Sequence, residues 1–160
     1  MFYRLVSYLP FGLLYGLAWL CYLLLYHVFR YRRDVVRNNL ANAFPEKPAA
    51  ERKQLEKTFY RRLCQVALEI IKARRMPADA FLERARIVNP QMLEQYSEGF
   101  SKSVIVLTIH QGNWEWMLHG ATTHFQIPID PFYKPLHNKS ADKMIYEIRS
   151  QFGSRPLSMD

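Results

Sequence analysis

The longest apolar stretch of the chain runs from Leu5 to Phe29 and contains no Asp, Glu, Lys or Arg. A helix of about 25 residues is long enough to cross the hydrocarbon core of a bilayer. The pattern therefore predicts one transmembrane helix, within an anchor over residues 1–30. A cleavable signal peptide is the alternative, but its apolar core is shorter and ends in small residues, whereas this run ends in Tyr26-His-Val-Phe-Arg30. We expect the helix to be retained.

A second apolar run, from Val104 to Ile109, is short and rich in β-branched residues, which is typical of a buried strand. Gly112 ends this pattern, and Asn113 is placed to cap a helix that continues from Trp114. Ligands of open α/β sheets bind outside the carboxyl ends of the strands. The pattern therefore predicts that this strand delivers the residues after it to a binding edge.

Between these two runs, the periodicity predicts a long amphipathic helix from Ala49 to Arg75. We expect core packing from its apolar stripe, which consists of Leu55, Phe59, Leu63, Val66 and Ile70. Shorter helices are predicted at 78–85, 90–98 and about 138–152, and a second strand near 129–133. This order of elements predicts an α/β fold, with an N-terminal transmembrane helix, further helices and then the first part of a mixed sheet.

The net charge of +8 comes entirely from one region. Residues 30–75 hold thirteen Lys or Arg against five Asp or Glu, and the rest of the chain balances nine against nine. This basic helical region, predicted over 31–100, follows the apolar run, so the positive-inside rule places the carboxyl side in the cytoplasm. Anionic lipid head groups are the expected partner. Nucleic acid fits badly, because the region is tethered to a membrane helix and no nucleic-acid motif is present.

The histidine and carboxylate that follow the predicted strand are the main candidates for chemistry. A neutral imidazole at His110 can take a hydroxyl proton, while a carboxylate at Glu115 fixes the tautomer and stabilises the cation that forms. The alternative is an ordinary polar residue at a strand end. A metal site is disfavoured, because no third ligand stands at suitable spacing and the zinc-binding His-Glu-x-x-His order is absent. A serine hydrolase is also disfavoured, because no Gly-x-Ser-x-Gly elbow is present.

Three blocks of the chain resemble the late lipid A acyltransferases, a family of the lysophospholipid acyltransferase group that uses a His-x-x-x-x-Asp/Glu dyad. The first block is Tyr31-Arg-Arg-Asp-Val-Val-Arg-Asn-Asn-Leu-Ala-Asn-Ala-Phe-Pro45-Glu46. The second contains His110 and Glu115, and the third joins Phe132-Tyr-Lys-Pro-Leu-His-Asn138 to Ile148-Arg-Ser-Gln-Phe-Gly153. The blocks stand in the order found in that family.

The resemblance implies an acyl transfer from an acyl carrier protein thioester to a lipid hydroxyl, without a covalent acyl-enzyme and without a cofactor. His110 is then the general base and Glu115 its partner. The implied substrate-binding residues are Gly112 and Asn113 in the turn of the motif, Lys134 where many members have arginine, and Arg149 near a phosphorylated acceptor.

The resemblance further implies a glycerolipid-acyltransferase type of sheet and a location at the bacterial inner membrane, as a single-pass protein with its catalytic side in the cytoplasm. Later blocks of the family are absent, so we expect residues 101–160 to be the N-terminal part of a catalytic domain that is truncated at its carboxyl end. Two alternatives stay open: an acyltransferase acting on another glycolipid or pigment lipid, and a truncated, non-catalytic membrane protein.

Overall fold

A computed structural model describes residues 2–159 and consists mainly of helices, with one small two-stranded sheet. The chain divides into two compact units, and the boundary along the sequence falls between Lys72 and Ala73. This boundary falls inside the predicted basic helical region. The functional division into an anchor (1–30), a basic region (31–100) and a catalytic part (101–160) stays a prediction.

The first unit contains four α-helices and one π-helical segment, and its core lies between the second and fourth helices. Their bounds are α1 Phe2–Tyr8, α2 Phe11–Leu23, the π segment Leu24–Val28, α3 Arg33–Ala43 and α4 Ala49–Ala73. One span in this part of the chain, Phe11–Val28, is long and apolar enough to cross a membrane by length and composition.

The prediction of a single helix from Leu5 to Phe29 is wrong, because the helix is interrupted near its start. Helix α1 ends at Tyr8, and α2 begins after Pro10, which has extended backbone angles. Proline lacks a backbone N–H and fits the start of a helix better than its interior. Apolar composition alone does not reveal this break, although the sequence contains the proline at which it occurs.

The predicted core stripe of α4 is also wrong. The buried face consists of Glu56, Tyr60, Cys64 and Leu68, each four residues after the last, whereas Phe59 and Leu63 are 44% and 37% exposed. The buried face of α4 can include Glu56, which is 2% exposed, because this carboxylate accepts hydrogen bonds from Arg33 and Arg37 at 3.0 and 3.1 Å. A carboxylate that is paired with two guanidinium groups can be buried, and hydropathy does not record such pairing.

The second unit contains four α-helices, one 3₁₀ turn and two strands. Their bounds are α5 Ala78–Arg84, α6 Pro90–Tyr96, α7 Trp114–Phe125, β1 Phe132–Tyr133, α8 Lys139–Arg149, the 3₁₀ turn Ser150–Phe152 and β2 Leu157–Ser158. The predicted helices are confirmed to within a few residues. Asn138 caps α8 by accepting from Ser140 and Ala141, and Gly153 ends the 3₁₀ turn at a φ of 91°.

The predicted strand from Val104 to Ile109 is not formed. The segment has neither helix nor strand geometry, and Ile105 and Leu107 are 88% and 92% exposed. A strand needs a neighbour to complete its hydrogen-bond ladder, and no described segment pairs with this one. The β-branched composition of this segment was therefore not sufficient to form a strand.

The small sheet supports the α/β prediction only in part. β1 lies within the strand predicted near 129–133 and pairs in parallel with β2, with Phe132 opposite Leu157. Helix α8 forms the connection between them, as expected for a parallel pair. The chain is thus mostly helical, and the observed pair is parallel and two residues long.

Candidate active site

The turn before α7 has the geometry that its sequence predicts. Gly112 adopts a φ of 61°, in the left-handed region that glycine reaches without steric cost. The Asn113 side chain then accepts a hydrogen bond from the Trp116 N–H at 3.0 Å. This cap satisfies one of the backbone donors at the helix start and places Glu115 in the first turn of α7.

Glu115 is a buried carboxylate that forms a bidentate ion pair with Arg149. Its side chain is 5% exposed, and Arg149 of α8 donates from Nε to Oε2 at 2.8 Å and from Nη2 to Oε1 at 2.6 Å. The planar guanidinium matches the two carboxylate oxygens, and such bidentate pairs are among the strongest ionic hydrogen bonds. The pair ties the start of α7 to the end of α8.

Trp114 connects His110 to this ion pair. Its indole Nε1–H donates to Glu115 Oε1 at 3.0 Å, and its ring lies 4.9 Å from the His110 ring, centroid to centroid. The hydrogen bonds of Glu115 thus go to Arg149 and Trp114, and none joins it to His110 in the described part of the chain. The imidazole of His110 is exposed beside the indole.

The environment of Arg149 extends the site to β1. Its guanidinium carbon lies 5.4 Å from the centre of the Tyr133 ring, a cation–π contact. The hydrogen bonds that Arg149 donates to the Glu115 carboxylate raise the pKa of Arg149 above its ordinary value. Lys134, the next residue after Tyr133, has an exposed side chain. Lys134 therefore presents a cation to solvent, next in sequence to the tyrosine that contacts Arg149.

His119 lies one turn after Glu115 on α7 and is fully buried. Its ring lies 4.8 Å from Phe81 and 5.5 Å from Phe152, and neither of its nitrogens has a hydrogen-bond partner. Burial lowers the pKa of His119 to about 4. The residue is therefore a neutral part of the packing between α5, α7 and the 3₁₀ turn.

The structure brings together three of the predicted site residues and leaves others apart. Glu115 and Arg149 are in direct contact, and Asn113 forms the helix cap two residues before Glu115. His110 and Lys134 are exposed, and Gly112 forms the turn. Sequence reasoning missed Trp114 as the link between His110 and Glu115. Its position, directly before the carboxylate, was the available signal.

No group of three or more His, Cys, Asp or Glu side chains within residues 2–159 lies close enough to hold a metal ion. The side chains described at the site are an exposed imidazole, a buried carboxylate, the guanidinium that binds it and an indole N–H donor.

A sequence model for bacterial lipid A biosynthesis acyltransferases matches residues 1–160, the whole of the chain given. The chain belongs to the bacterial lipid A biosynthesis acyltransferase family. No curated protein and no solved structure gives a significant match.

Membership in the lipid A acyltransferase family supports acyltransferase activity in lipid A biosynthesis, and with it an acyl donor and a lipid acceptor. The apolar span Phe11–Val28, together with a pathway that builds a membrane lipid, fits membrane association.

Proposed function

We propose that this acyltransferase moves a fatty acyl chain from an acyl carrier protein thioester to a hydroxyl of a lipid A precursor, with His110 as general base and Glu115 as its partner. The observation that carries the proposal is the fixed position of Glu115. A buried carboxylate stands at the start of α7, a few residues after an exposed imidazole, within the span matched by the family.

The hydrogen bonds of Glu115 leave room for the histidine. Oε1 accepts from Arg149 and Trp114, whereas among residues 2–159 the donor to Oε2 is Arg149 alone. A carboxylate oxygen has two acceptor positions, so Oε2 retains capacity for an imidazole N–H. We expect His110 to move from the face of Trp114 to Glu115 when substrate orders the exposed segment 103–110.

The reaction then needs no covalent enzyme intermediate. One nitrogen of His110 takes the proton of the acceptor hydroxyl as its oxygen attacks the thioester carbonyl carbon. The tetrahedral intermediate collapses with loss of the carbon–sulfur bond, and the imidazolium returns the proton to the leaving sulfur. Glu115 stabilises the imidazolium during this cycle.

The negative charge of the tetrahedral intermediate develops near the start of α7. Main-chain N–H groups at Gly112 and Asn113 are candidates to bind that oxygen, and a helix N-terminus favours a negative charge. Exposed Lys134 is a candidate for the phosphate of the acceptor. Arg149 acts through Glu115, because two of its nitrogens already bind the carboxylate.

The chemistry is proposed to take place at the cytoplasmic face of a bacterial inner membrane. The basic residues between positions 30 and 75 support an anionic leaflet as the docking surface. An acidic acyl carrier protein is attracted by the same positive field. A single crossing by the helix that begins at Phe11 would leave the site on this side.

Transfer of labelled acyl groups to a lipid A precursor tests the proposal, using membranes that contain the chain and acyl carrier protein thioester as donor. Replacement of His110 by alanine is expected to lower transfer by at least 10²-fold, since general base catalysis contributes about 10²–10⁴-fold. His124→Ala, at an exposed histidine on α7, is the matched control and should retain activity. Equal transfer by the His110 variant and the control would contradict the role of His110.

A further inference from the structure

The last turn of α8 makes contacts on two opposite sides. Arg149 points towards α7, where its guanidinium binds both oxygens of Glu115. Successive residues of an α-helix are about 100° apart, so Glu147, two positions before Arg149, points in nearly the opposite direction. Gln151, two positions after Arg149, belongs to the 3₁₀ turn that continues α8 and lies on the side of Glu147. The end of α8 is therefore held from both sides.

The side of α8 that faces away from α7 is bound to the first residues of the second unit. Arg74 Nη1 donates to Glu147 Oε2 at 2.8 Å. Gln151 Nε2 donates to the Ala73 carbonyl oxygen at 2.9 Å. Ala73 is fully buried, and its carbonyl oxygen also accepts from the Met76 N–H at 3.1 Å. We call Arg74, Glu147, Gln151 and the Ala73 carbonyl group the brace.

The brace resists rotation of α8 about its own axis. The side chains of Arg74 and Glu147 are 24% and 39% exposed, so their ion pair is partly shielded from water. An isolated surface ion pair contributes little to stability. Here the ion pair and the Gln151 hydrogen bond stand four residues apart on one side of α8, so a rotation of the helix must break both. Side-chain atoms lie about 5–6 Å from a helix axis, so a rotation of about 10° moves a guanidinium by about 1 Å.

Glu115 is sensitive to a displacement of this size. Arg149 Nε and Nη2 bind its two oxygens at 2.8 and 2.6 Å, and such a bidentate pair fixes the plane of the carboxylate as well as its distance. The Trp114 indole N–H shares Oε1 at 3.0 Å. The orientation of Oε2, the oxygen with capacity for an imidazole N–H, therefore depends on the rotation of α8.

We propose that the brace holds α8 at the rotation at which Arg149 orients Glu115 towards His110. The residues of the brace are positioning residues, because they act through Arg149 and not on the reacting atoms. The inference rests on the proposed role of Glu115 in acyl transfer. The link from the brace to Glu115 is nevertheless measurable without any reaction.

The Trp114 indole N–H reports on Glu115 directly, because it donates to the carboxylate. The chain has three tryptophans, so an NMR spectrum of the full chain in detergent micelles, labelled at its tryptophans, contains three indole signals. Trp114→Phe assigns one of them. The brace variant combines Glu147→Gln with Gln151→Met, which removes a charge and an amide donor. We expect this variant to shift the Trp114 signal, and Glu147→Gln alone to shift it in the same direction.

The matched control combines Glu94→Gln with Gln95→Met, the same changes at two exposed positions on α6. It should leave the Trp114 signal in place. The Trp116 signal checks the fold of both variants, since this indole is 6% exposed and packs edge-on against Phe81. A folded brace variant with the Trp114 signal of the wild type would overturn the proposal.

Steady-state transfer from the acyl carrier protein thioester gives the second readout. The brace variant should lower kcat by about threefold to tenfold at unchanged KM, because a displaced carboxylate supports the imidazolium less well while the donor is bound as before. The control variant should retain the kcat of the wild type. A brace variant with wild-type kcat, or one in which KM alone changes, would contradict a role in positioning.

The two readouts separate this proposal from the proposed function. No transfer by the wild type, together with a shifted Trp114 signal in the brace variant, would refute acyl transfer and leave the link from the brace to Glu115 established. Transfer by the wild type, together with an unmoved Trp114 signal in the brace variant, would refute the brace alone.

Discussion

The arrangement of Trp114, Glu115 and Arg149 determines what the site can do at the scale of single residues. A guanidinium and an indole N–H bind the Glu115 carboxylate, which is only 5% exposed, so this acidic side chain is buried with partners. The sequence singles out His110 and Glu115, since their side chains and spacing suit proton transfer, and their catalytic roles stay a prediction. The ion pair was not predictable, because Arg149 lies 34 residues after Glu115 and only folding shows which partner it takes.

Trp114 supplies two separable interactions, a ring for His110 and an N–H for Glu115. Trp114→Phe retains the ring and loses the donor, so we expect acyl transfer to fall by about threefold to tenfold, the equivalent of one net hydrogen bond. Trp114→Ala should fall further, because the contact with His110 is lost as well. Transfer rates of the two variants at equal protein abundance check this order, and equal rates would contradict a separate role for the ring.

The buried His119 predicts a loss of stability in acid. Its pKa is about 4 in the folded chain and about 6.5 when unfolded, so between these values the unfolded state binds more protons. The free energy of unfolding should therefore fall as pH decreases from 6.5 towards 4, by about 3 kcal/mol in total from this residue. Denaturant unfolding of the wild type and His119→Leu at pH 7.5 and 4.5 measures this contribution. An equal change in the free energy of unfolding between pH 7.5 and 4.5 in both proteins would contradict this contribution from His119.

At the scale of elements, local signals in the sequence predicted the helices and failed for the strand. Asn113, Asn138 and Gly153 end or begin helices by bonds within a few residues, which a sequence displays directly. The strand expected from Val104 to Ile109 depends on a partner far along the chain, and none of the described segments provides one. The core face of α4 also depended on a distant partner, the arginines that bind Glu56.

The close packing of α7 on α5 gives a test at this scale. A Cβ added to Gly120 would lie 2.7 Å from the Ala85 carbonyl oxygen and 2.8 Å from its Cβ, and backbone atoms cannot move aside cheaply. We expect Gly120→Ala to lower the free energy of unfolding by about 1–3 kcal/mol, despite the better helix propensity of alanine. Gly12→Ala, which meets nothing within 4 Å on α2, is the matched control. Unchanged thermal unfolding of the Gly120 variant would contradict this packing.

At the scale of the whole molecule, family membership and geometry support one account. The family match spans residues 1–160, and the first unit contains an apolar span followed by a concentration of positive charge. The second unit fixes a carboxylate against Trp114, whose ring lies next to an exposed histidine. Sequence blocks were sufficient to assign the family, because they record chemistry and order. How α2 packs was not predictable from its hydropathy, because residues on α4 that contact it, such as Glu69, lie far along the chain.

The central claim, acyl transfer by His110 with Glu115, is tested most directly by mass spectrometry of the lipid acceptor after incubation with the chain and acyl carrier protein thioester. The account predicts a product heavier by one acyl group with the wild-type chain, much less with Glu115→Gln and none above background with His110→Ala. Product formed equally by all three chains, or by none of them, would contradict it.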